Sequence, residues 1–188
     1  MHYRAVDSVL PDFNLIATSE RGRESEACSE LWMMLRAVGD EKPIVDRSPV
    51  RGLILARTNL EPVEAVRRLR DELLRSPDDF QALLRVLPIE RVIPTDLDGM
   101  TAEVKKRASR IGSGESFRVT VEKRRTKLRS REIIEAVAAG IDRRVDLEHP
   151  DWVVLIEIVG RLTGVSVVRP GSLLNIQKTR FLHSQRDP

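Results

Sequence analysis

The feature that most constrains this 188-residue chain is a change of hydrophobic period between Phe117 and Ala139. Phe117, Val119 and Val121 alternate with polar residues, and this period of two predicts a half-buried strand. From Ser130 onward the apolar side chains recur at helical spacing, so we predict a helix that reaches Ala139. The residues between the two elements therefore form a strand end, a loop and a helix start.

This strand, loop and helix start carry seven cations against one acid, Glu122. Cations in this arrangement suit phosphate binding, because their charge adds to the free N–H groups at a helix N-terminus. A solvated charge run is the alternative, but such surfaces usually mix both signs. We therefore predict that the segment contacts an RNA backbone through Arg118, Lys123, Arg124, Arg125, Lys127, Arg129 and Arg131.

Composition narrows the class of protein. A hydrophobic fraction of 41% supports a packed core, and no segment has the roughly 20 apolar residues that span a bilayer. The N-terminus lacks the apolar run of a signal peptide. A single cysteine, Cys28, excludes an intrachain disulfide framework. We expect a cytoplasmic protein without membrane association.

Charge is distributed unevenly along the chain. Residues 1–104 carry 14 Lys and Arg against 19 Asp and Glu, a net charge of −5, whereas residues 105–188 carry 18 against 10, a net charge of +8. Such asymmetry predicts that the C-terminal half meets a polyanion.

The order of elements in the first half is predicted to be β-α-β-β-α-β, the ferredoxin-like pattern. Pro62 suits the first turn of its second helix, and Pro94 would confine the fourth strand to an edge or a strand end. The predicted strands are Phe13–Thr18, Ile44–Val45, Gly52–Ala56 and Arg91–Thr95. The predicted helices are Arg23–Val38, one from Asn59 to about Ser76, and a short one over Asp79–Leu87.

The second half is predicted to begin with a helix near Met100–Ile111. Trp152–Val159 is apolar nearly throughout, which indicates a strand buried on both faces, and Val165–Val168 is a further strand. The tail contains Lys178, Arg180, His183 and Arg186. These residues form either a second phosphate-contacting strip or a frayed, polar C-terminus.

Two segments carry a resemblance to a known family. They are the Phe117–Arg124 strand with its basic loop and Ser130-Arg-Glu-Ile-Ile, and the series Val145-Asp-Leu-Glu-His-Pro-Asp-Trp-Val-Val-Leu-Ile-Glu-Ile-Val-Gly160. Together they resemble a THUMP domain over about residues 100–175. The resemblance implies a module that binds RNA in tRNA-modifying enzymes, preceded by a ferredoxin-like domain, with the pair holding the acceptor end of tRNA.

The resemblance also indicates how the chain is organised. We expect an α+β protein with a ferredoxin-like domain over residues 1–98 and a THUMP domain over residues 99–188. No catalytic domain is expected after residue 175, so the chain resembles the stand-alone THUMP adaptor that helps an acetyltransferase form N4-acetylcytidine in tRNA. The family's RNA-binding role is carried to the basic segment, including Ser130, and we add Lys178 and Arg180 from the tail.

No constellation of catalytic residues is evident. His2, His149 and His183 lack the spacing of a metal site, and His149 before Pro150 is typical of a turn. Cys28 lies among acids on a predicted helix, which raises rather than lowers a thiol pKa. We therefore expect no cofactor, no metal and no enzymatic activity. The predicted partners are tRNA and a tRNA acetyltransferase or another modifying enzyme. An RNA-binding subunit of a split tRNA methyltransferase or sulfur-transfer enzyme is the alternative.

Overall fold

A computed structural model describes residues 10–185 of the chain. Contacts divide the chain into two compact units. The first runs to Pro88 and resumes at Ser172, and the second is Ile89–Gly171. Each unit contains a five-stranded sheet, which confirms a mixed α+β fold. The boundaries of these units differ from those of the predicted domains, 1–98 and 99–188.

The first unit has the predicted ferredoxin-like topology. Its sheet has the order β10-β4-β1-β3-β2, and every pair of neighbouring strands is antiparallel. Strand β1 lies between β4 and β3, as a split β-α-β-β-α-β unit requires. The elements are β1 Leu15–Ser19, α1 Glu24–Ala37, β2 Ile44–Arg47, β3 Leu53–Arg57, α2 Pro62–Arg75, β4 Leu83–Pro88, β10 Leu174–Asn175 and α5 Ile176–Ser184.

The fourth strand of this unit differs from the prediction. It is Leu83–Pro88, which was predicted as part of a helix, whereas only Pro77–Asp79 forms a short 3-10 turn. The buried Glu30 carboxylate accepts hydrogen bonds from the amides of the three residues Gln81–Leu83, at 2.9, 2.7 and 3.1 Å. These bonds hold the chain extended as it enters β4, where Val86 pairs with Ala17.

Local chemistry explains why α2 begins where it does. The Glu61 side chain accepts hydrogen bonds from the amides of Val63 and Glu64, and Pro62 occupies the first turn, where no N–H is needed. The helix then buries Val66 and Leu69 in the core of the first unit.

The C-terminal segment belongs to the first unit and not, as predicted, to the second. Leu174 pairs with Val86 of β4, and both Leu174 and Ile176 are buried in the core of this unit. Arg70 also donates a 3.0 Å hydrogen bond to the Leu173 carbonyl. Counted by unit, the first has 16 Lys and Arg against 16 Asp and Glu, and the second has 16 against 13, a net charge of +3. The difference in net charge is thus much smaller between the units, 0 against +3, than between the two halves.

The second unit has a sheet of order β5-β9-β8-β6-β7, in which β6 is parallel to β7 and β8. Helices α3 and α4 pack with Phe117, Val119 and Val121 of β6, so the predicted alternation is confirmed. Strand β8 is buried throughout Val153–Val159, as predicted. The elements are β5 Arg91–Pro94, α3 Leu97–Ala108, β6 Ser116–Arg124, α4 Ser130–Ala139, β7 Arg144–Val145, β8 Trp152–Val159 and β9 Leu162–Val168.

The predicted fourth strand of the first unit is β5, which pairs with β9 in the second unit. This register joins Arg91 to Val165, so the pairing is set by a strand more than 70 residues away. None of the helices within residues 10–185 is long and apolar enough to cross a membrane.

Candidate nucleic-acid interface

The candidate interface lies at one end of the sheet in the second unit. Strands β6 and β8 run parallel, with Arg124 paired to Val159, so their C-terminal ends meet there. The Gly160 amide donates a 2.9 Å hydrogen bond to the Arg124 carbonyl and ties the β8–β9 turn to the end of β6. Residues 125–129 form the loop that leads from this end into α4. We call this end of the sheet, together with the loop, the start of α4 and the β8–β9 turn, the basic end.

Three cations of the basic end project into solvent without a carboxylate partner. Lys123, Lys127 and Arg129 are exposed, and none of them forms an ion pair within residues 10–185. We call these three residues the open cations. Because no acid neutralises them, their charge is available to a polyanion.

Arg124 is engaged differently. Its Nη1 atom donates a 2.7 Å hydrogen bond to Oε2 of Glu157 on β8, and Glu157 is only 1% exposed. The Arg124 side chain is itself 20% exposed. A buried carboxylate needs such a partner. The structural role of Arg124 is therefore to neutralise Glu157 within the sheet. Contact of Arg124 with RNA stays a prediction.

Arg125 adopts an unusual backbone conformation directly after β6. Its φ of 57° lies in the left-handed region, and it is the sole non-glycine residue with positive φ among residues 10–185. This conformation costs a residue with a Cβ atom about 1–2 kcal/mol. It turns the chain out of the sheet and begins the loop that carries Lys127 and Arg129.

The N-terminus of α4 closes the loop. Arg129 is its N-cap and has no side-chain capping bond, while Ser130 is the first helical residue. The amides of the first turn therefore have no side-chain cap and point toward the loop. Arg131 is exposed, but it forms a 2.7 Å ion pair with Glu135 one turn later, so part of its charge is compensated.

Arg118 lies apart from the basic end. It precedes Arg124 by six positions on β6, a separation of about 20 Å along a strand. Its Nη1 atom donates a 3.3 Å hydrogen bond to the Leu147 carbonyl, and its Nε atom is buried without a partner within the described chain. The structure thus does not bring Arg118 together with the loop cations.

The two tail residues belong to the first unit. Lys178 is exposed on α5. Arg180, by contrast, donates hydrogen bonds to the carbonyls of Pro77 and Phe80 and so anchors α5 to the chain before β4. RNA contact by either residue stays a prediction. Arg186, the last member of the predicted strip, lies outside the described residues.

Sequence reasoning missed one cation of the basic end. Arg161 is exposed in the turn between β8 and β9, next to Gly160, and its carbonyl accepts a 2.9 Å hydrogen bond from the Thr95 amide. Because Gly160 is bonded to Arg124, this turn lies at the same end of the sheet as the loop. A cation after glycine in a turn between two predicted strands was the available signal.

His149 and Cys28, the candidate metal-binding and catalytic residues, lie in a turn and on a packed helix. His149 donates its amide to Oδ1 of Asp146 at 2.8 Å, which confirms it as a turn residue. Burial and the nearby Asp46 carboxylate raise the pKa of the Cys28 thiol to about 11, in the direction predicted. Across residues 10–185, no three His, Cys, Asp or Glu side chains converge as metal ligands would.

A comparison with known families identifies the second unit. Residues 94–168 match the THUMP domain, so the chain contains a THUMP domain that carries the basic end. This match confirms the family resemblance of the Phe117–Arg124 and Val145–Gly160 segments.

Solved structures share the fold at low sequence identity. PH1313 from Pyrococcus horikoshii Ot3 has a TM-score of 0.56 and 20% identity, over 84% of this chain and 55% of that one. TrmN from Thermus thermophilus has a TM-score of 0.54 and 17% identity, over 81% of this chain and 44% of that one.

A third structure, from Listeria monocytogenes, bears the description "a predicted N6-adenine-specific DNA methylase". It has a TM-score of 0.53 and 16% identity, over 84% of this chain and 40% of that one. The chain thus spans about half or less of the length of these structures. No curated protein is significantly similar to the chain in sequence.

Proposed function

We infer that this chain is a non-catalytic adaptor that binds tRNA and presents it to a modifying enzyme. The observation that carries the proposal is the basic end of the THUMP domain. There, open cations from a strand end, a loop and a helix start converge with Arg161 beside the free amides of α4. Charge and backbone N–H groups together bind phosphate oxygens.

The surface is suited to shape and backbone recognition. The second unit has two aromatic residues, and Phe117 is buried while Trp152 lies at the opposite end of β8 from the basic end. Base stacking needs exposed aromatic platforms beside the phosphate contacts. A structured RNA held by its backbone fits this surface better, and the acceptor end of tRNA is the target that the family implies.

The modifying enzyme we favour is an RNA cytidine acetyltransferase that forms N4-acetylcytidine. The support is the THUMP match over residues 94–168, together with the resemblance to the THUMP adaptor of tRNA N4-acetylcytidine formation. Nucleosides from the tRNA of cells with and without this gene, measured by mass spectrometry, test the assignment. Loss of N4-acetylcytidine is expected, and its unchanged level would rule the acetyltransferase out.

The electrostatic part of the proposal has its own test. If the open cations and Arg161 each neutralise one phosphate, log affinity for tRNA should fall against log salt with a slope of about −3 to −4. A double substitution, Lys123→Gln with Lys127→Gln, should reduce the steepness of that slope by roughly two. Affinity is measured by fluorescence anisotropy with labelled tRNA over a range of salt concentrations.

A matched control is available on α3. Lys105 and Lys106 are exposed in its last turn. Because α3 begins just after the end of β5 that pairs with Leu162, its last turn lies at the other end of the sheet from the basic end. The substitutions Lys105→Gln and Lys106→Gln remove the same charge and should leave the slope unchanged. An equal effect of both pairs would show that binding follows net charge and not the basic end.

The second candidate is the RNA-binding subunit of a split tRNA methyltransferase or sulfur-transfer enzyme. Its methyltransferase form is favoured by the fold shared with the Listeria structure, which is described as a predicted DNA methylase and of which this chain covers 40%. The nucleoside analysis separates the two candidates, because loss of a methylated or thiolated nucleoside would replace loss of N4-acetylcytidine. Modification of tRNA by the purified chain alone, given acetyl-CoA, ATP or a methyl donor, would contradict an adaptor role.

A further inference from the structure

One sheet edge in the first unit is unusually open. The two sheets have four edge strands within residues 10–185, namely β10, β2, β5 and β7. Strands β10 and β7 have two residues each, and β5 ends on Pro94, so these edges are short or blocked. Strand β2 has four residues, Ile44–Arg47, and contains neither proline nor lysine.

The outward-facing backbone groups of β2 belong to Val45 and Arg47. Ser48 donates its amide to the Leu53 carbonyl at 3.0 Å, and hydrogen-bonded pairs alternate along an antiparallel ladder. In the register of β2 and β3, Val45 is paired with Ala56. The Ala56 carbonyl accepts a hydrogen bond from the Asn14 amide, so it points toward β1 and away from β2. The N–H and C=O groups of Val45 and Arg47 therefore point away from β3.

An exposed apolar side chain stands on each side of this edge. On α1, Ser25 accepts a 3.3 Å hydrogen bond from Arg47, so this flank of the helix lies beside β2. Trp32 follows two turns later on the same flank and is 46% exposed. Ile44, 52% exposed, alternates with Val45 and so faces the opposite side of the sheet.

Three cations, Arg36, Lys42 and Arg47, outnumber the two acids Glu41 and Asp46 along this edge. Arg36 lies over the Trp32 ring, 5.8 Å from its centroid, and donates to the Glu41 carbonyl. Arg47 donates a hydrogen bond to the Ser25 hydroxyl, and Lys42 is exposed just before β2. None of these three cations forms an ion pair within residues 10–185.

We propose that the outer edge of β2 is a docking site for an extended segment of a partner protein that alternates apolar and acidic residues. Such a segment would add a strand antiparallel or parallel to β2 and bond Val45 and Arg47. Its acidic side chains would meet Arg36 and Arg47 on the helix side, and its apolar side chains, on the other face of the added strand, would cover Ile44. A second copy of this chain is disfavoured, because it would bring the same three cations together.

The proposal concerns a protein surface and does not depend on tRNA binding, so the two can fail separately. The probe is a synthetic peptide of about ten residues that alternates valine and glutamate. Amide hydrogen exchange of the full chain is followed by NMR without RNA. The peptide should slow exchange at Val45 and Arg47 by at least about tenfold, and much less at Asp46, whose amide is already bonded to β3.

Three variants sharpen the test. Val45→Pro removes an outward N–H at an edge that tolerates proline, and Arg47→Glu reverses the charge without touching the backbone. Each should weaken peptide affinity at least about fivefold, about 1 kcal/mol. Met33→Ala serves as the control, because Met33 is about as exposed on α1 as Trp32 but lies on the flank of the helix away from β2. The peptide affinity of this variant should equal that of the wild type.

Several outcomes would overturn the proposal. They are absence of protection at Val45 and Arg47, equal protection by a peptide that alternates valine and lysine, and wild-type affinity of the Arg47→Glu variant. Protection by RNA alone would make the edge a nucleic-acid site instead. Protection that rises with protein concentration in the absence of peptide would make it a self-association surface.

Discussion

Arg124 and Glu157 form the link between the basic end and the core of the THUMP domain. Arg124 is the last residue of β6, and its guanidinium donates a 2.7 Å hydrogen bond to the carboxylate of Glu157 on β8. Glu157 is only 1% exposed. The last cation of β6 is thus also the counter-ion of a buried acid. Its removal should affect stability before it affects RNA binding.

The first prediction follows from this pair. Arg124→Ala removes the guanidinium that pairs with the buried Glu157 carboxylate, so we expect the free energy of unfolding to fall by about 3 kcal/mol. Urea denaturation followed by circular dichroism measures the loss. Arg131→Ala is the control, because the Arg131–Glu135 pair is exposed and its loss should change stability by less than about 0.5 kcal/mol. Equal losses in both variants would show that Glu157 does not depend on Arg124.

The second prediction concerns the left-handed conformation of Arg125. Glycine adopts a positive φ without a steric cost, so Arg125→Gly should raise the free energy of unfolding by about 0.5 kcal/mol after the entropic cost of glycine. The same variant should bind tRNA more weakly, because it removes one cation from the basic end. Denaturation and anisotropy measure the two effects. Lys127→Gly loses the same charge at a residue without positive φ, so a similar stability gain there would contradict the explanation.

The third prediction separates the two tail cations. Arg180→Ala removes hydrogen bonds to the carbonyls of Pro77 and Phe80, and we expect a loss of about 1–3 kcal/mol in stability. Lys178→Ala, on the exposed side of α5, should change stability by less than about 0.5 kcal/mol. Affinity of Lys178→Ala for tRNA then decides whether the tail takes part in binding, free of any effect on folding.

The fourth prediction is a pH dependence. Hydrogen bonds from the Gly112 amide, the Trp152 indole and Arg169 lower the pKa of Glu115 to about 2. A carboxyl whose pKa falls on folding stabilises the folded state above its unfolded pKa of about 4.5, and this stabilisation disappears as the pH drops toward 2. Glu115→Gln should therefore lose less stability than the wild type between pH 4.5 and pH 2.

Urea denaturation at several pH values within this window provides the measurement. Trp152→Phe removes one of the three donors to Glu115, so its pH dependence should lie between those of the wild type and Glu115→Gln. Parallel curves for the wild type and Glu115→Gln would show that this carboxylate does not titrate with folding.

The elements that could be predicted from the sequence are those with a clear local period. Helix α1, helix α2 and the strand-to-helix change after Phe117 were all found from apolar spacing. Strand β4 was missed because Leu-Leu-Arg-Val-Leu-Pro has no alternation. Its extended form depends on Glu30, which is more than 50 residues earlier.

The same limit applies to the site. The run of cations was visible, whereas their division into paired and open members was not. Arg124 pairs with a carboxylate 33 positions later in the chain, and Arg180 donates hydrogen bonds to carbonyls about 100 positions earlier. Arg161 joins the basic end only because β8 runs parallel to β6.

The pairing of β10 with β4 has a consequence for the order of folding on the ribosome. Leu174 and Ile176 fill the core of the first unit, yet they are synthesised after the whole second unit. The THUMP domain can complete its sheet once β9 has emerged, since all its strands lie between Arg91 and Val168. The unit whose synthesis starts first is therefore completed last. A chain stalled on the ribosome after residue 171 should contain every strand of the THUMP domain, while the sheet of the first unit still lacks β10.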